Sequence, residues 1–434
     1  MNSGRVISLK TNKIASYITI FNLVITPLIF LPNQTVFDYY YFPKHVVIMV
    51  CSLLFVLQIW LSRKNLREIF VFDLPTKAIL VYLLIVFISL FFAIDPKLAI
   101  TGSSFRLDGF ATLVMYIMMF FAARMSMPIG NKVFKYMLVS ATIIAVYGIL
   151  QYFGLDFFRI EPFRYGSFSL AFGTIGGSNF LGSYLVLMIP FTLHFWFSRE
   201  KALGLISYAA LLFCLIATLS RGPWLGAIFG IILYFIFQVH FLNKKLISKQ
   251  FLIFVIVTVG IVMLFAAISP DSPFSRFFLI FSDAAKILTN DPNMDNAGSS
   301  RWFIWSKVVE LIKERPIFGF GISNLELLFA SRFKESVFQV FGSYTTIDKA
   351  HNEYLDIAVS SGIPSLIAYL YFLYTVTIDK LKKNIFIEEN IAPLLCAVLG
   401  YAAQAIFNIS VISVAFVFWI LLGLIVQNYN SQKN

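Results

Sequence analysis

Three residues of this 434-residue chain combine a reactive type with an unusual setting. Arg221, in LSRGPWLG, stands between two apolar runs with almost no connection, so its guanidinium must either snorkel to an interface or point into a cavity between helices. Arg301, in SSRWFIW, opens a stretch with helical spacing, and His351, in AHNEYLDIAVSSGIPS, precedes another apolar run. A guanidinium stays charged and donates two parallel hydrogen bonds to phosphate oxygens, so arginines converging on one cavity suit a diphosphate and could replace a metal. A histidine with an ordinary pKa of about 6.5 can take the proton of a sugar hydroxyl as that hydroxyl attacks. Each has a plainer reading: interfacial anchors for the arginines, a capping or hydrogen-bonded structural role for the histidine.

Weaker candidates surround these three. Arg106 in TGSSFRLDG, Arg159, Arg164 and Arg276 also fall at junctions of apolar segments, where headgroup anchoring competes with substrate binding. Asn352 and Trp302 are candidate contacts to the diphosphate or sugar, and Trp305, Phe318 and Phe320 could line a lipid tail or stack on sugar rings. Glu353 and Asp356 are near enough in sequence to orient the imidazole, although helix residues two apart do not share a face. His45, His194 and His240 lie at helix ends and read as interfacial anchors. Asp291, Asn293 and Asp295 imitate calcium-loop spacing, but Asn296 replaces the turn glycine and Trp302 the last ligand, so no metal is expected. No HExxH, Walker A loop or GxSxG is present, and no cofactor is implied.

The elements that must position these residues belong to a membrane. The chain is 59% hydrophobic and 13% charged, against about 25% charged in soluble domains. About twelve apolar runs approach the roughly 20 residues a bilayer requires, the first near 14–31 and the last near 410–427. An all-α polytopic protein follows: a single membrane domain over 1–434, with one long external loop, 269–362, between helices 9 and 10. The net charge of +12 comes mainly from Lys and Arg clustered between runs, which is the mark of topology rather than of nucleic-acid binding. Alternation puts Lys10 and Lys13, Arg63 to Arg67, Lys244 to Lys249 and Lys380 to Lys383 on one side, so both termini are expected in the cytoplasm. Within the loop, Arg301–Ile312 repeats apolar residues at helical spacing until Pro316, Gly319 and Gly321 stop it, as in an amphipathic helix on or near the membrane surface. The three cysteines lie in apolar runs with no CxxC spacing.

In order along the chain, SSFRLDGFATL, GTIGGSNFLGSYL, LSRGPWLG, SSRWFIWSKVVELIKERPIFGFGISN and HNEYLDIAVSSGIPSLIAYL make it resemble the O-antigen ligase and polymerase superfamily over roughly residues 100–375. The resemblance implies a GT-C-like glycosyltransferase that moves a glycan from undecaprenyl diphosphate to an acceptor hydroxyl at the outer face of the cytoplasmic (inner) membrane. It implies arginines at 221 and 301 holding the diphosphate, a base at His351, inversion without metal, and membrane lipids as surroundings. For a ligase the acceptor would be lipid A core; for a polymerase, a growing glycan; for related enzymes, a protein hydroxyl. A twelve-helix transporter or flippase is the alternative from another class, but the two similar halves typical of many such carriers are not evident.

Overall fold

The computed structural model describes residues 13–31, 40–61, 71–158, 164–165, 168–198, 200–240, 248–269, 273–289, 291, 294–378 and 390–427. Lys10, Arg63, Lys64, Arg67, Lys244, Lys245 and Lys380 to Lys383, which carry the orientation argument, lie outside these residues, as do Arg159 and Asn293. Among them the regular structure is helical, apart from a two-residue ladder pairing Arg164–Tyr165 (β1) with Phe168–Ser169 (β2).

Helices stand at all twelve apolar runs. Six are long and apolar enough to cross a membrane: Tyr41–Leu61 (α2), Leu74–Ser89 extended to Phe92 (α3), Asn131–Tyr152 (α6), Ser178–Trp196 (α7), Arg221–His240 (α9) and Lys249–Ile268 (α10). The shorter apolar helices are Lys13–Val24 (α1), Phe110–Met125 (α5), Lys201–Ala217 (α8), Ile363–Val376 (α16), Ile391–Gln404 (α17) and Ile412–Gln427 (α18). A six-residue helix, Pro96–Thr101 (α4), precedes α5 and is capped by the Asp95 carboxylate.

Hydropathy does not reveal who sits inside. Of the most apolar window in α10 only 11% is buried, against 83% in the less apolar α7, so α7 lies inside the bundle and α10 at its rim. Small residues permit a close crossing at the start of α9. A Cβ on Gly226 of α9 would fall 2.8 Å from the Gly400 carbonyl of α17, so these two backbones touch and hold the start of α9 against the bundle.

The segment between α10 and α16 forms a small helical layer with its own core. It contains Pro273–Leu288 (α11), Ala297–Glu314 (α12), Leu325–Arg332 (α13), Lys334–Phe341 (α14) and Glu353–Ser361 (α15). Phe303, Ile304, Val308 and Leu311 of α12 pack there against Phe320, Leu328 and Phe329. The apolar face of α12, read from its spacing as that of an amphipathic helix on or near the membrane surface, is covered by protein. Surface character belongs instead to α11, whose Phe274, Phe278 and Phe281 are exposed.

Candidate active site

Arg221 is the first residue of α9, and the turn before it is held from three directions. Leu219 adopts a left-handed conformation (φ 53°), and its carbonyl accepts a hydrogen bond from Arg276 at 3.3 Å. Ser220 bonds to the Asn179 side chain at the head of α7. Asn408 donates to the Asn179 carbonyl (3.1 Å) and to Ser183 (2.8 Å), which in turn meets Gln404 at 3.2 Å. The motif around Asn179 and Ser183 thus braces the arginine turn, and the Trp224 indole staples α9 to the Leu215 carbonyl at 2.8 Å.

The Arg221 guanidinium reaches Asp283 of α11 at 2.7 Å and the Ser299 hydroxyl at 3.3 Å. Beside it Arg301 is half-buried, with no acid partner among the described residues. Burial, then the neighbouring Arg221 charge, pulls its pKa down from 12.5 to about 10, so it remains a cation at neutral pH. Both arginines line a cavity of about 230 Å³, walled by Trp302, Trp305, Ile280 and Phe407. Two guanidiniums on an apolar wall, one without a counter-ion, are a demand for an anion.

His351 does not line that cavity, yet it feels the charges of Arg301, Asp348, Arg106 and Lys349. Its φ is 51°, unusual for a side chain of this size, and the strap that carries it is clamped at every step. Asp348 takes the Arg106 fork at 2.6 and 3.3 Å. Lys349 pairs with Asp108 at 2.7 Å and Asp356 at 3.3 Å. The Ala350 N–H goes to Asp356 (3.1 Å), and its carbonyl accepts the Trp305 indole N–H (3.0 Å), which ties the strap to the helix of Arg301. Burial, then the Arg301 charge, lowers the imidazole to about 4, so it is neutral and free to accept a proton at pH 7.

Several expected roles change. Arg106 is a strap anchor, locked to Asp348 and stacked near Phe105 and Phe180. The Asn352 carboxamide oxygen caps α15 through the Tyr354 and Leu355 N–H groups, which leaves only its amide nitrogen for a substrate. Glu353 and Asp356 do not bond the imidazole: Glu353 accepts the Ser410 N–H at 2.6 Å, and Asp356 serves the strap. Phe318 stacks on Phe92, and Phe320 lies under Arg315 and Arg332, both away from the cavity. His194 is buried and bonded to Asn131 rather than anchored at an interface. Nothing is described of the Arg164 side chain. If Asn352 is chiefly a cap, Asn352→Ala should cost about 0.5–2 kcal/mol in thermal unfolding and Asn352→Asp much less, with the donor KM unchanged in both.

Beyond geometry, the family profile described as O-antigen ligase matches residues 206–370, which span Arg221, Arg301 and His351. Over that segment the chain is similar to the O-antigen ligase family. An uncharacterized protein of Haemophilus influenzae is 25% identical over 297 residues, 67% of this chain and 70% of the relative. The six helices long and apolar enough to cross a membrane, together with this likeness, fit a multi-pass membrane protein.

Proposed function

We propose that the protein is an inverting membrane glycosyltransferase of O-antigen ligase type, taking a glycan from undecaprenyl diphosphate to a hydroxyl of lipid A core at the outer face of the inner membrane. The observation that carries this is Arg301, half-buried and without an acid partner among the described residues, lining one cavity with Arg221. The acceptor oxygen attacks the anomeric carbon, and the bond from that carbon to the diphosphate oxygen breaks. The electron pair leaves with the diphosphate against the two arginines, and the acceptor proton passes to the neutral His351 imidazole. A diphosphate is a good leaving group once its charge is held, so the hydroxyl is what most needs help, and one base supplies it. Asp283, which lines the cavity, and Asp348, beside His351 on the strap, are each tied to an arginine, which favours single displacement over a covalent glycosyl-enzyme.

The test is chemical. Purified protein is incubated with a glycan on undecaprenyl diphosphate and with lipid A core, and the position of the glycan is followed by mass. Transfer to the core supports the ligase; glycan accumulating on the lipid carrier makes the protein a polymerase; transport without transfer overturns the enzyme reading.

A further inference from the structure

Asp283 belongs to none of the motifs that mark the site, yet one of its oxygens joins both halves of it. Oδ2 accepts from Arg221 Nη1 at 2.7 Å and from the Gly298 backbone N–H at 3.0 Å. Gly298, Ser299 and Ser300 have φ values of 64°, 60° and 62°, three successive left-handed residues immediately before Arg301. Serine pays a steric penalty in this region, so such a run persists only where its surroundings over-determine it. Asp283 supplies one restraint, and the Arg221 Nη2 contact to Ser299 at 3.3 Å supplies a second. The carboxylate also places one negative charge against the Arg221 guanidinium, whose charge repels Arg301.

We propose that Asp283 is a positioning residue for the donor diphosphate: it clamps the Arg221 end of α9 to the left-handed turn that sets the rotational phase of Arg301. The proposal rests on the diphosphate reading above and extends it to a residue outside the family-like motifs. Were the turn to relax into right-handed helix, each residue regained would rotate the following side chain by about 100° and carry Arg301 off the cavity wall. Asp283 engages one Nη of Arg221, so the guanidinium keeps further N–H groups for phosphate oxygens.

Farnesyl diphosphate is a suitable probe, titrated calorimetrically into the full chain in detergent. Asp283→Ala should weaken its binding about tenfold, and Asp283→Asn, which keeps the oxygen, should recover part of that loss. The donor KM should rise while the acceptor KM stays. In the Arg221→Ala background, Asp283→Ala should cost less than in the native chain, because the part of its effect that joins the turn to that arginine is already gone. Unchanged or tighter probe binding in Asp283→Ala and Asp283→Asn would overturn the proposal, since the carboxylate would then only compete with phosphate. A full additive loss in the double variant would overturn it too, as the mark of generic structural damage. If Arg221→Ala and Arg301→Ala bind the probe as well as the native chain does, the diphosphate reading itself falls and takes the clamp with it.

Discussion

His351→Ala is expected to lower glycan transfer by about 10²–10⁴-fold while leaving donor binding near its native value, because the imidazole takes part only when the acceptor proton moves. Its pH behaviour is the sharper signature. The free-site value is about 4, lowered first by burial and then by Arg301. The neutral form is the active base, so kcat/KM should stay level as pH falls toward 5 and decline only near pH 4. A bound diphosphate brings negative charge to Arg301, which cancels part of the field that depresses the imidazole and raises its pKa in the complex. The acid limb of kcat should therefore lie at higher pH than that of kcat/KM, and the base becomes strongest once the donor is in place. Glu353, pushed up to about 7 by burial, titrates within range, so the profile is best taken in Glu353→Gln. Coincident limbs in that background would remove the electrostatic link between base and donor site.

The sequence exposes part of this site and conceals the rest for a physical reason. An arginine wedged between two apolar runs is anomalous, and so Arg221 stands out before any coordinates. Asp283 and Asp348 do not, because an acid in a polar loop is ordinary and its meaning lies in a partner 62 or 242 positions away. Lys349 and Asp108 are invisible for the same reason, although together they hold the strap of His351. The fold divides in the same way. Apolar runs locate the apolar helices, six of them long enough to cross a membrane, because backbone groups in lipid must be satisfied within the helix. Which helix lies inside is not written in hydropathy, since lipid is as apolar as a protein core; α7 and α10 differ instead in small and polar residues. The helical spacing of α12 shows an apolar face but not its cover, and that cover comes from α13 and Phe320, not lipid.

Arg301→Met should produce an inactive protein that is more stable than the native one. Loss of a positioned donor to a leaving group commonly costs about 10²–10³ in rate, and here the same donor also holds the ground-state diphosphate, so the donor KM should rise as well. Arg301→Lys should not rescue it, because a point-charge ammonium cannot reproduce the two parallel N–H bonds of the fork. The stability gain follows from the empty site. Arg301 is held half-buried beside another cation with no acid partner among the described residues, and its folded-state pKa of about 10 lies below the ordinary 12.5. For a base depressed in this direction, the folded state pays for the charge at every pH below about 10 and is relieved only as pH rises through that value. Methionine fills similar volume without the charge, so unfolding in detergent at pH 7 should shift upward by on the order of 1–3 kcal/mol. Adding farnesyl diphosphate should stabilise the native chain and leave Arg301→Met unmoved. A variant that is both inactive and less stable would mean that Arg301 supports the fold, and the cost of leaving it unpaired would need a different explanation from donor binding.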